Sequence, residues 1–124
     1  MIARLLLCFG IIAAVAIATV TWLCGQMFHC GCTFTEGMRY CNVHRSIGPR
    51  CPWCSSSFWT FNLTFGAVLA ATATTIFTAL KSVRPSVWVA LSVGLAGYIL
   101  WVNLMGLVFA LLFQYPIFYG ARTP

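Results

Sequence analysis

"LLLCFGIIAAVAIATVTWLCGQM", residues 5–27, is a run of apolar and small side chains without a single charge. A helix of about 20 such residues crosses the hydrocarbon core of a bilayer, which is about 30 Å thick. Two further stretches, residues 58–80 and 86–113, are at least as long and are also free of charge. Together they predict an all-α integral membrane protein with three transmembrane helices and a cysteine- and histidine-rich extramembrane loop, residues 28–57, between the first two.

The composition supports a membrane protein. Hydrophobic residues make up 61% of the 124 residues and charged residues only 6%, whereas about a quarter of a soluble domain is charged. The length suits one unit, so we predict a single membrane domain over residues 1–124. We expect the first helix to stay uncleaved, because no small-residue site of the signal-peptidase type follows it.

The charges are sparse and almost all positive. The net charge is +6, and Glu36 is the only acidic residue. Basic residues beside apolar spans favour anionic lipid headgroups, so we expect contacts with the bilayer and none with nucleic acid. The basic N-terminus and the basic turn at residues 81–84 predict an N-terminus on the cytoplasmic face and a cysteine-rich loop on the outer face.

Small residues recur every fourth position in all three predicted helices. Such rows let helix backbones approach closely inside lipid. No ionisable residue lies within the three spans, which disfavours a proton relay or an ion pathway, and we expect Asn103 to form a hydrogen bond between helices. The rows are Gly10, Ala14 and Ala18; Gly66, Ala70, Thr74 and Thr78; Ala67, Ala71, Thr75 and Ala79; Ala90 and Gly94; and Gly106 and Ala110.

The loop contains three closely spaced pairs of soft metal ligands. Two ligands on one tight turn can reach the same ion, and tetrahedral zinc takes four cysteine or histidine ligands. We therefore predict one structural zinc ion. The preferred ligands are Cys41, His44, Cys51 and Cys54, and the reserve pair is Cys30 and Cys32.

The loop has few aliphatic side chains, so it needs a staple to offset the entropy that it loses on ordering. A structural zinc ion supplies about 10 kcal/mol. Disulfides are the competing interpretation, because the five loop cysteines and Cys24 make an even six. Cys30 and Cys32 are too close in sequence for an easy mutual bridge.

Cys51-Pro-Trp-Cys54 is similar to the C-P-x-C active sites of thioredoxin-like and glutaredoxin-like proteins. The similarity covers four residues and implies a membrane thiol–disulfide oxidoreductase as an alternative function. A second alternative is the handling or delivery of a soft metal.

The main functional prediction is a small accessory subunit of a larger integral-membrane complex, in which the zinc-stapled loop caps one membrane face. We expect no catalytic activity of its own and no small-molecule substrate, and we expect integral-membrane subunits as partners.

Overall fold

The computed structural model describes residues 2–55, 58–83 and 86–122, and it is mostly helical. Three long helices are joined by a cysteine-rich loop and a tight turn, and a short hairpin follows the last helix. The loop carries a 3-10 turn at Asn42–His44. The elements are α1 (Ile2–Phe28), α2 (Pro52–Ser55), α3 (Phe58–Val83), α4 (Val87–Leu112), β1 (Ile117–Phe118) and β2 (Ala121–Arg122).

Three helices are long and apolar enough to cross a membrane, in agreement with the three predicted spans. The qualifying segments are Ile2–Phe28, Asn62–Lys81 and Val87–Leu112. The cysteine-rich loop lies between the first two of them, as predicted. Arg84, at the predicted basic turn, lies outside the described residues.

The three long helices form a bundle through rows of buried residues spaced four apart. Residues at this spacing lie on one face of a helix. Each helix buries one such row against the other two helices. Each row reaches the end of the bundle that faces the loop. The row of α1 is Cys8, Ile12, Ala16, Val20 and Cys24; that of α3 is Thr64, Val68, Thr72, Ile76 and Leu80; that of α4 is Ala90, Gly94, Tyr98, Val102, Gly106 and Ala110.

Gly94 marks the point where all three helices meet. A Cβ atom on Gly94 would lie 2.2 Å from Cδ1 of Ile12 and 2.8 Å from Cγ1 of Ile76. Further along α4, a Cβ atom on Gly106 would lie 2.5 Å from the sulfur of Met27. The glycines of α4 therefore allow the close approach of α1 and α3.

Only part of the predicted small-residue pattern is used inside this chain. The α4 residues are buried, and Ala71, Thr75 and Ala79 of α3 are half-buried, with Trp101 Nε1 donating a hydrogen bond of 3.3 Å to Thr75. The remaining positions face outward. The exposed rows are Gly10, Ala14 and Ala18 on α1, and Gly66, Ala70, Thr74 and Thr78 on α3.

The C-terminal tail folds back onto the loop end of the bundle. Helix α4 ends with Gln114 in the left-handed region (φ 49°), and the Tyr115 N–H donates a 2.9 Å hydrogen bond to the Ala110 carbonyl. These are features of a Schellman ending. The Tyr119 N–H then donates to the Met27 carbonyl at 2.8 Å, which ties the hairpin to the last turn of α1.

Asn103 does not join two helices among the described residues. Its Nδ2 donates a 2.7 Å hydrogen bond to the Ile99 carbonyl within α4. Its Oδ1 accepts a short hydrogen bond from the Tyr119 hydroxyl of the tail. The side chain therefore anchors the hairpin to α4 and not one helix to another.

We predict that Gly94→Leu destabilises the bundle by about 1–3 kcal/mol, because the added side chain overlaps Ile12 and Ile76 in a packed interior. Thermal unfolding in detergent, followed by circular dichroism, measures the effect. Gly10→Leu is the matched control, since no atom lies within 4 Å of a Cβ at Gly10. Equal melting temperatures for the two variants would contradict the packing described.

Candidate metal centre

Six cysteine side chains meet where the loop covers the end of α1. Cys24 comes from the last turns of that helix, and the others follow along the loop and α2. The cluster, called the sulfur cluster below, consists of Cys24, Cys30, Cys32, Cys41, Cys51 and Cys54.

Four sulfur–sulfur distances define the packing in the sulfur cluster. The Cys24 sulfur lies 3.7 Å from that of Cys30 and 3.5 Å from those of both Cys51 and Cys54. The Cys32 sulfur lies 3.6 Å from that of Cys54. All seven cysteines lie within the described residues, and all are free thiols. The sulfurs are thus in contact but not bonded.

The sulfur cluster divides into two groups of four, each with its ligand atoms within 4.8 Å of one another. The groups are Cys24, Cys30, Cys51 and Cys54, and Cys30, Cys32, Cys41 and Cys54. Thiolates bind zinc at about 2.3 Å, so the edge of a regular tetrahedron of four sulfurs is about 3.8 Å. The measured contacts are close to that edge, so the cysteines could hold a metal ion.

Gly25 allows the loop to return against the helix from which it leaves. A Cβ atom on Gly25 would lie 2.0 Å from the backbone oxygen of Cys32. Gly31 has a φ of +90°, and a Cβ there would lie 2.3 Å from the Tyr40 oxygen. Only glycine accepts both this backbone geometry and this contact. These two glycines therefore bring Cys30 and Cys32 toward Cys24.

Asn42 joins three parts of the chain behind the sulfurs. Its Oδ1 accepts a 2.7 Å hydrogen bond from the Cys51 N–H, and its Nδ2 donates one of 2.7 Å to the Tyr115 hydroxyl. That hydroxyl donates in turn to the Phe28 carbonyl at 3.0 Å. The Asn42 N–H donates to the Cys30 carbonyl at 2.6 Å. Such partners fix the backbone that carries the ligands.

An aromatic group surrounds Phe28 beside the sulfur cluster. The Phe28 ring makes edge-on contacts with Trp53, Tyr115 and Phe118, at centroid distances of 6.1, 5.4 and 5.9 Å. Trp53 and Tyr115 are buried. The loop has few apolar side chains of its own, so it packs against those of α1 and the tail.

Five of the six ligands predicted from the sequence lie in the sulfur cluster. His44 ends the 3-10 turn with an exposed side chain, and neither ligand group found among the described residues includes it. Its role as a ligand stays a prediction. Cys24 is the sixth member of the sulfur cluster and was not among the predicted ligands. In the sequence it belonged only to the even count of six cysteines that favours disulfides.

Burial and the close contact between sulfurs shift the pKa values of side chains in and beside the sulfur cluster. The neighbouring sulfurs, those of Cys24 and Cys30 first, raise the pKa of the Cys54 thiol. Two thiolates in contact repel each other by about 4–5 kcal/mol at an effective dielectric constant of about 20. A bound cation would reverse this repulsion. Burial also raises the pKa of Tyr115 to about 12.

Comparison of this chain with protein-family models, with curated proteins and with solved structures gives no match.

We predict that Gly25→Ala lowers the amount of metal bound per chain. The new methyl group would overlap the backbone oxygen of Cys32, so the start of the loop must move away from Cys24. Elemental analysis of the purified protein measures the loss. Gly10→Ala makes the same change on the open side of the same helix and should retain all of the metal. Full metal content in Gly25→Ala would show that this contact does not position the ligands.

Proposed function

We propose that this chain is a small accessory subunit of a larger integral-membrane complex. Its three long helices span the bilayer, and zinc bound by the sulfur cluster holds the loop as a cap on one membrane face. The observation that carries the proposal is the cluster of six cysteines, five of them buried and Cys54 half-buried, at one end of an apolar three-helix bundle.

The outer surface of the bundle supports partners within the membrane. The small residues of α3 at positions 66, 70, 74 and 78 form an exposed row along one side of the helix. Thr74 Oγ1 donates a 2.9 Å hydrogen bond to the Ala70 carbonyl, so this hydroxyl needs no water. A smooth row of this kind suits the close approach of a helix from another subunit.

A structural role for zinc is supported by the composition of the cluster. Each group supplies four sulfurs, which completes a tetrahedral shell, whereas a catalytic zinc keeps one position open for water or substrate. Catalysis would also need a general base near the metal. Glu36, the only carboxylate side chain in the sequence, is exposed and its backbone N–H bonds to Thr33 Oγ1. The sulfur cluster therefore suits a staple better than an active site.

The alternative functions make different demands on the same cysteines. A thiol–disulfide exchanger presents a low-pKa, accessible thiol to its partner, but Cys51 is 0% exposed. A metal-delivery protein binds its ion loosely enough to release it. Tight zinc at fixed stoichiometry therefore supports the structural role, while a reversible disulfide between Cys51 and Cys54 in a metal-free protein would support the exchanger.

We predict that the loop and the turn after α3 lie on opposite membrane faces, with the loop outside. Ile47 is 88% exposed and Lys81 is exposed, so Ile47→Cys and Lys81→Cys provide labelling sites at the two ends of the bundle. In sealed vesicles of known orientation, an impermeant maleimide should label only one of them before the membrane is opened. Labelling of both from one side would contradict the three-span topology, and labelling in the reverse order would overturn only the sidedness.

We predict that Ala70→Leu releases the protein from its complex while leaving it folded and inserted. The exposed row would no longer allow a close helix contact, but the bundle interior is untouched. Native-membrane extracts separated by size, followed by partner identification, measure the fraction bound. Ala96→Leu on α4 is the matched control, since Ala96 is exposed but lies outside the row. Full occupancy of the complex by Ala70→Leu would exclude this face as the interface.

A further inference from the structure

The two groups of four within the sulfur cluster share two members. Cys30 and Cys54 belong to both groups, Cys24 and Cys51 only to the first, and Cys32 and Cys41 only to the second. Six corners divided in this way describe two tetrahedra that share one edge. The geometry points to a binuclear zinc–thiolate cluster, in which the sulfurs of Cys30 and Cys54 bridge two ions and the other four are terminal ligands. This inference rests on the proposed structural zinc, but it requires two ions where the sequence predicts one.

A single ion would leave two buried sulfurs unused. If it occupied the first group, Cys32 and Cys41 would have no metal, although they are only 5% and 1% exposed. If it occupied the second group, Cys24 and Cys51 would be left, at 2% and 0% exposed. Burial alone does not require a second ion, since free cysteine is often buried. The second ion would account for the place of these cysteines in the cluster, because the sulfurs of each group all lie within 4.8 Å of one another and Cys32 lies 3.6 Å from the shared Cys54 sulfur.

The contacts support both halves of the cluster. In the first half, Cys24 lies at 3.5 Å from Cys54 and 3.7 Å from Cys30, the two bridging sulfurs. In the second half, Cys32 lies at 3.6 Å from Cys54. The Cys54 sulfur therefore has a neighbour in each half at close to the edge of about 3.8 Å that zinc sets. The Cys30 sulfur lies within 4.8 Å of the other sulfurs in both groups.

Charge balance also favours two ions over one. Six thiolates with two divalent ions carry two negative charges, whereas six thiolates with one ion would carry four. Each bridging sulfur also stands between two cations, which offsets the repulsion between the ions themselves. The chain has a net charge of +6, and its loop contains Arg39, Arg45 and Arg50 against Glu36 alone, so the net charge of the loop is opposite in sign to that of the cluster.

The chemistry of the donors selects the class of metal. An all-thiolate tetrahedral shell is typical of zinc or of iron–sulfur centres. In an iron–sulfur centre, inorganic sulfides bridge the irons, but here the cysteine sulfurs of residues 30 and 54 occupy the shared edge. The ions are therefore divalent, redox-inactive and bridged by protein thiolates alone.

The binuclear cluster would cross-link more of the chain than one ion could. The first ion would join α1 to α2, through Cys24 on the one side and, on the other, Cys54 within α2 and Cys51 directly before it. The second would add the segment before the 3-10 turn through Cys41. The bridging residue Cys30 follows α1 directly, so both ions act on the same hinge between helix and loop.

Zinc per chain in the full-length protein, purified in detergent without chelator, tests this inference. We expect two zinc ions per chain and a metal–metal vector in the zinc X-ray absorption spectrum, with sulfur as the only near ligand. Cadmium-113 replacement should give two coupled resonances. One zinc per chain without a metal–metal vector would overturn the binuclear cluster and leave the proposed zinc staple intact.

Two other results would overturn the proposed zinc staple as well as the binuclear cluster. Absence of metal together with cysteines that react with alkylating agents only after reduction would overturn both the cluster and the staple in favour of disulfides. Iron with acid-labile sulfide would likewise overturn both, since bridging would then be by sulfide.

Cysteine variants divide the cluster into its parts. Cys41→Ser should lower the zinc content from two to one per chain, because Cys41 belongs to the second group only. Cys54→Ser should lower the affinity of both ions. Cys8→Ala is the control, since Cys8 is buried in the bundle and is outside both groups, and it should keep two ions. Loss of both ions in Cys41→Ser while Cys54→Ser keeps both would overturn the assignment of the bridging sulfurs.

Discussion

The contact between Gly25 and the backbone of Cys32 is the constraint on which the loop end of this molecule depends. Because Gly25 has no Cβ, the chain that leaves α1 can return against the same helix. That return brings Cys30 and Cys32 to the sulfur of Cys24. Cys41, Cys51 and Cys54 then complete the sulfur cluster. A helix residue without a Cβ therefore allows the six thiols to meet.

The loop and the tail are stabilised by each other. Asn42 holds the Cys51 backbone and the Tyr115 hydroxyl, while the Phe28 ring packs against both Trp53 and Tyr115. The Schellman ending of α4 directs the tail to this position. A metal ion in the sulfur cluster would therefore act on a region that already has a small apolar core, and binding would order the loop, the tail and the end of α1 together.

The long helices have small residues both on their buried faces and on their outer faces. The buried rows join the three helices of one chain, and Gly94 brings Ile12 and Ile76 together at their centre. The rows on the outer faces of α1 and α3 have the same small residues but are exposed on the surface of the bundle. Lipid gives little drive for helix association, so small residues on an outer face are useful mainly when a helix of another subunit packs there. This is why we propose a partner in the membrane.

The sequence by itself determined the three long apolar helices, the loop between the first two, and the identity of five clustered cysteines. These follow from composition and spacing, which act over short distances along the chain. Only the tertiary structure decided that Cys24 joins the sulfur cluster, that His44 faces outward, and that α4 and not α1 uses its predicted small-residue rows inside the bundle. Each of these depends on which faces of separate elements meet. The direction in which the loop and the tail return over α1 decides which faces meet, and local sequence patterns do not encode that direction.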